Sequence, residues 1–148
     1  MPRVQLEISP TPAHVRTARL VATAVARRSG VADSALDEIR LAVGEACSRA
    51  VSLHREYAPA EMVSVVLEDQ GKFVVTVRDV APVGAGVTDA DPLALLSGIY
   101  AGQGRNNDLL PADFGLAVIG GLVDDLEVVP VEPGTIVRMT WPVVRPAA

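Results

Sequence analysis

Val4, Leu6 and Ile8 alternate with polar neighbours, the period of a half-buried strand, and Ser9-Pro10-Thr11-Pro12 breaks the pattern. Thr11 before Pro12 has the form of an N-cap with proline at the first helical position, where a missing N–H costs nothing. A helix is predicted to follow. Val15, Ala18, Ala22, Val25 and Ala26 recur at helical spacing, and Arg27, Arg28 and Gly30 supply cationic charge and a stop at its C-terminal end. Arg19 falls on the border of that stripe. A second helix is expected from a cap at Asp33 or Ser34 to about Leu53, with Leu36, Ile39, Val43, Ala46 and Ala50 as its core face. At about 100° per residue, Leu41, Ala42, Glu45 and Arg49 fall on the other side, so this helix has two working faces.

Met62 to Leu67 and Lys72 to Arg78 are β-branched runs joined by Glu68-Asp69-Gln70-Gly71, which reads as a hairpin. From Val80 to Ala112 the chain turns irregular and glycine-rich, interrupted by a short helical pattern from Pro92 to Tyr100; so long a loop inside a compact domain is usually functional. Phe114, Ala117, Val118 and Leu122 form a short amphipathic helix, and Leu126 to Pro130 and Thr135 to Trp141 read as strands around a Pro133-Gly134 turn. No internal repeat is present. This order predicts an α/β two-layer sandwich with helices on one face of a mixed, mostly antiparallel sheet. The 148 residues form one expected domain, 1–148, with 80–112 as its irregular lid.

With 49% hydrophobic and 21% charged residues, the composition excludes disorder for most of the chain. The net charge of −5 and the lack of a Lys/Arg cluster argue against direct nucleic-acid binding, and a protein or small-molecule partner is expected instead. No apolar run reaches the roughly 18 residues needed to cross a bilayer, and Met1 to Ser9 lacks the pattern of a signal peptide, so no membrane association and a cytoplasmic location are expected. Cys47 stands alone on a helical pattern and reads as a small buried residue. His14 and His54 lack partners at metal spacing and read as ordinary polar or boundary residues. Gly102-Gln103-Gly104-Arg105-Asn106-Asn107 has the flavour of a phosphate cradle but is followed by no lysine, so a loop is the better reading.

Four segments together resemble the anti-sigma-factor serine kinases of bacterial partner-switching systems, a branch of the GHKL ATPases. Leu41-Ala42-Val43-Gly44-Glu45-Ala46-Cys47-Ser48-Arg49-Ala50 is similar to the family's N box, in which a glutamate precedes a magnesium-binding asparagine by one helical turn. Val77-Arg78-Asp79 is similar to the strand end whose aspartate reads the adenine amino group. Phe114-Gly115-Leu116-Ala117-Val118-Ile119 resembles the glycine-led helix after the lid, and Gly134-Thr135-Ile136-Val137 the closing Gly-Thr strand. The resemblance implies the Bergerat (GHKL ATPase-like) fold, ATP as a cofactor, Glu45 as catalytic base, and Arg49, Asp79, Gly115 and Thr135 as the nucleotide-site positions. It further implies a homodimer that binds a sigma factor and is antagonised by a STAS-domain anti-anti-sigma protein. Arg19, with Arg16 beside it, matches the arginine of the first helix that contacts those partners.

The departures from the family pattern bear on the chemistry. Arg49 stands at the asparagine position, and a guanidinium has only donors where Mg²⁺ requires an oxygen, so direct metal ligation there is lost. Ala81 and Val83 replace two glycines after Asp79, and Asp113 replaces the first glycine of the later motif. Two readings of Glu45 stand side by side: a general base toward a substrate hydroxyl, or an i, i+4 helix ion pair with Arg49. The expectation is an anti-sigma factor or related partner-switching regulator with a degenerate ATP site; the alternative is an active ATP-dependent serine/threonine kinase acting on the antagonist.

Overall fold

A computed structural model describes residues 3–82 and 119–144. The elements are β1 (Arg3–Ile8), α1 (Pro12–Ser29), α2 (Asp33–Tyr57), β2 (Val63–Asp69), β3 (Lys72–Asp79), β4 (Asp125–Pro130) and β5 (Thr135–Pro142). Their order and type are those read from the sequence, with boundaries differing by a few residues. The patterns for Pro92 to Tyr100, for the Gly102 to Asn107 loop and for most of the lid lie outside the described residues, as does most of the short helix from Phe114, of which only Ile119 and Gly120 are seen, as helix.

The strands form one five-stranded sheet in the order β1-β2-β3-β5-β4, and all four described pairings are antiparallel. Register explains which side is covered. Leu6 stands opposite Val65, Val65 opposite Val77, and Val77 opposite Val137, so one face carries an apolar row across the sheet. Phe73 and Trp141 pair on the same face, with ring centroids 6.2 Å apart. The opposite face carries Gln5, Glu7, Thr76, Arg78 and Arg138 and has no helix over it among the described residues.

Helices α1 and α2 pack on each other and cover the apolar row. Ala18, Ala22 and Ala26 of α1 and Ile39, Val43 and Ala46 of α2 are fully enclosed, and the small residues let the two helices approach closely. Gly30 ends α1 in the left-handed region at φ 94°, where its N–H meets the last carbonyls of the helix. The expected side-chain caps are absent. Thr11 occupies the N-cap of α1 without a capping bond, and α2 is capped by Ala32, one position before Asp33. The three-residue connection explains the second difference: Val31 is buried and donates its N–H to Ala26, so α2 must begin at once, leaving Asp33 inside the first turn, where its charge suits the helix dipole. Helix α2 continues to Tyr57, a full turn past the expected end. After β5 the chain returns to the helical layer, with Val144 N–H donating to the Gly30 carbonyl.

Candidate functional site

Two faces of α2 lead to two different places. The sheetward edge of the helix carries Ala42 and Arg49, both buried, toward the end of β3. Arg49 is only 3% exposed, and its Nη1 donates to Asp79 Oδ2 at 3.1 Å, with Asp79 itself 2% exposed. The other carboxylate oxygen, Oδ1, accepts the Ala81 N–H at 3.1 Å, closing a turn at the strand exit. Asp79 therefore serves both as a turn former and as the counter-ion of a buried guanidinium. A buried pair of this kind tolerates removal of neither member, because the survivor would remain charged and desolvated.

This geometry corrects one of the two readings of Glu45. Among the described residues no ion pair joins Glu45 to Arg49: Arg49 turns to Asp79, and Glu45 is half-buried. One turn of helix separates their Cα atoms, but the guanidinium reaches its partner across the helix–sheet interface, where a desolvated carboxylate attracts it more strongly than an exposed one.

Thr135, also buried, stands opposite Asp79 across the β3–β5 pairing. Gly134 precedes it at φ 99°, and a Cβ at that position would collide with the Asp79 carbonyl oxygen. Only glycine allows β5 to start so close to the end of β3. Arg49, Asp79 and Thr135 are thus brought together, with Glu45 one turn along α2; Gly115 lies outside the described residues.

His54 was not singled out for this region by the sequence, yet it is fully enclosed. Its Nε2 accepts the Val80 N–H at 2.9 Å, which fixes the tautomer, so Nδ1 donates to the Glu61 carbonyl at 2.9 Å. One ring ties the end of α2 to the loop before β2 and to the residue next to Asp79. The signal was its spacing: His54 follows Ala50 by four residues and continues the apolar stripe of α2.

Arg19 and Arg16 belong to the second place. Gly44 lies about 140° round α2 from Arg49, and the aliphatic stem of Arg19 crosses it so closely that a Cβ on Gly44 would come within 2.8 Å of Arg19 Cδ. Arg19 is half-buried, and Arg16 and Leu20 beside it are exposed. Val15 and Arg19 of α1 and Ser48, Val51, Ser52 and Arg55 of α2 line a groove of about 650 Å³ between the helices. Cys47 is buried under this contact, and burial pushes its thiol up to about 12 against a smaller opposing effect of Arg19. It is an inert core residue, as its position on the stripe indicates.

Among the described residues no cluster of three or more His, Cys, Asp or Glu side chains could hold a metal ion. Arg49 has N–H donors only and so no oxygen for a metal ion, and its guanidinium already engages Asp79. No helix among the described residues is long and apolar enough to cross a membrane.

Comparison with curated protein sequences returns no match. Among solved structures, the chain is similar to the RsbU and RsbW domains of Rv1364c from Mycobacterium tuberculosis, with 19% identity and a TM-score of 0.66 over 99% of this chain and 34% of that one. It therefore spans about a third of the length of that protein. It is also similar to the SiaB-SiaC complex from Pseudomonas aeruginosa, with 10% identity and a TM-score of 0.57 over 93% of this chain and 88% of that one. Both likenesses place the two helices and the antiparallel sheet within the GHKL-like fold. The family model for the histidine kinase-like ATPase domain matches residues 8–141, and the chain belongs to that family.

Proposed function

We propose that this chain is a partner-switching regulator, an anti-sigma factor or close relative, that sequesters a sigma factor and is released by a STAS-domain antagonist. It acts by binding and not by phosphoryl transfer. The observation that carries this reading is the buried Arg49–Asp79 pair. Resemblance assigns Asp79 to the adenine and residue 49 to the magnesium ion, and here each is the other's partner. Phosphoryl transfer depends almost wholly on positioning and charge neutralisation, and an enzyme that has lost its metal oxygen and engaged its adenine acceptor has lost both. Family membership supports the ATPase-like scaffold, and the names of the two structural neighbours, an RsbW domain and a SiaB-SiaC complex, support a role in protein–protein regulation.

Mg·ATP binding is weak or absent in this reading, since Arg49 offers no metal oxygen and its charge is already paired with Asp79. A homodimer is part of the proposal, by family resemblance. Arg19 is the anchor for both partners, with Arg16 contributing at the rim. Its stem is packed on Gly44 and its head faces the groove, the combination that favours arginine at interface hot spots.

The test uses purified sigma factors and STAS-domain proteins from the source organism, each titrated against the chain. One member of each class binds, the two compete, and Arg19→Ala weakens both by about 2 kcal/mol, roughly thirtyfold, without lowering the melting temperature. Binding to no member of the panel by the folded wild-type chain overturns the reading. The kinase alternative keeps one observation in its favour: Glu45 makes no ion pair among the described residues. Transfer of labelled phosphate to a STAS-domain protein, abolished by Glu45→Gln, would establish it.

A further inference from the structure

His54 lies in the core, 0% exposed, and both of its hydrogen bonds run to the backbone of segments outside α2. Nε2 accepts the Val80 N–H and Nδ1 donates to the Glu61 carbonyl, each at 2.9 Å. Only the neutral ring can do both, because Nε2 must keep its lone pair for Val80. A proton added at Nε2 would set N–H against N–H. Val80 would lose its partner, and the ring would carry a positive charge in a fully enclosed site.

The surroundings offer that charge no counter-ion. Among the described residues no carboxylate lies within ion-pair distance of the ring. Arg55, Glu56 and Tyr57 on α2, Glu61 in the loop to β2, Glu7 on β1 and Arg78 on β3 are all exposed. The buried charges on the adjoining elements are Arg49 on α2 and Asp79 on β3, and these two neutralise each other. Asp79 is committed through both oxygens, Oδ2 to Arg49 and Oδ1 to the Ala81 N–H. Val80 is the residue between them. Pinning its backbone to α2 fixes the turn on which the Arg49–Asp79 pair is built.

We infer that His54 is a proton-operated clamp: neutral, it holds the exit of β3 against α2 and the Glu61 loop, and protonation releases Val80 and loosens the turn that carries Asp79. The inference rests on hydrogen-bond geometry and is independent of the regulator reading. A released ring takes up a proton in the ordinary imidazole range, about pH 6.5, whereas the clamped ring has no lone pair to offer. The open state therefore binds more protons than the closed one. The clamp is complete above that range and weakens as pH falls through it, its opening equilibrium rising about tenfold for each pH unit below about 6.5.

Amide hydrogen exchange of the full chain, followed by NMR and expressed as protection relative to the unstructured peptide, reads the clamp at Val80. Protection there is expected to fall about tenfold between pH 7.5 and pH 5.5. It is also expected to be lower than at Val75, which lies mid-strand between β2 and β5, and to be insensitive to dilute urea, which speeds exchange at Val75 by promoting global unfolding. His54→Gln supplies an amide oxygen that does not titrate, and the fall at Val80 is expected to vanish in it. The ring nitrogen shifts of the wild-type chain should show the neutral Nδ1–H tautomer at pH 7.5. Protection at Val80 that stays level with pH, a Val80 that shares the protection and urea dependence of Val75, an Nε2–H tautomer, or an undiminished fall in folded His54→Gln overturns the clamp. The first three outcomes are read in the wild-type chain and do not depend on whether the variant folds.

Discussion

Replacing Arg49 by methionine keeps the aliphatic volume and removes the guanidinium, leaving the Asp79 carboxylate buried with only the Ala81 N–H as partner. Breaking a buried pair from one side costs about 3–5 kcal/mol. Against a total stability of roughly 5–15 kcal/mol, this is a large fraction. In a chain of this size it corresponds to a fall in melting temperature of roughly 10–15 °C. Trp141 is the single tryptophan, 2% exposed on β5, so its fluorescence reports unfolding in urea without a label. Asp79→Asn removes the charge but keeps an oxygen for the Ala81 N–H, which makes it the suitable second arm of a double-mutant cycle. The double variant is expected to be more stable than Arg49→Met alone, with a coupling energy of about 1.5 kcal/mol or more. If Arg49→Met costs under about 1 kcal/mol and the two changes add, the pair is not a structural element of the fold and the account of the site is wrong.

Four further outcomes follow. Arg49→Asn restores a metal oxygen and releases Asp79, so titration calorimetry should show Mg²⁺-dependent ATP affinity that the wild-type chain lacks; equal affinities would contradict the site account. Gly134→Ala forces a Cβ against the Asp79 backbone at a positive φ, with an expected loss of about 2 kcal/mol or more, and a neutral result in urea melts would show that β5 can start elsewhere. His54→Phe strands the Val80 N–H and the Glu61 carbonyl, costing about 2–4 kcal/mol, readable as loss of hydrogen-exchange protection at Val80. Cys47, with its thiol pushed up to about 12, should be about one part in ten thousand thiolate at pH 8. Alkylation by iodoacetamide should accordingly occur only at the rate of unfolding, and fast modification of the native chain would contradict its burial.

The periodic elements were legible because each depends on its own stretch of chain. The Val4-Leu6-Ile8 alternation, the alanine stripe of α1 and the Leu36-to-Ala50 stripe of α2 each name a buried face without reference to any partner. Capping was less legible: Asp33 has the chemistry of an N-cap, but the three-residue connection and the buried Val31 decided where α2 begins. At the end of β3 the pairing of side chains was not legible. Arg49 stands one turn from Glu45 in sequence, which favoured a surface ion pair, whereas its true partner lies thirty residues away and becomes visible only when α2 is laid on β3. His54 was misread for the opposite reason: a polar residue type drew attention from a spacing that already placed it in the core. Arg55 joins Arg19 only through the crossing of α1 and α2, which no single-helix pattern contains.

The central claim, that the chain regulates by exchanging protein partners and not by phosphorylating one, is tested most directly by displacement. A preformed complex of the chain with its sigma factor is titrated with the STAS-domain antagonist, and release is followed by fluorescence anisotropy of the labelled sigma factor in matched samples with and without Mg·ATP. Release at the same antagonist concentration in both samples, lost with Arg19→Ala, is the predicted result; release that requires ATP, or a stable ternary complex in either sample, contradicts the account.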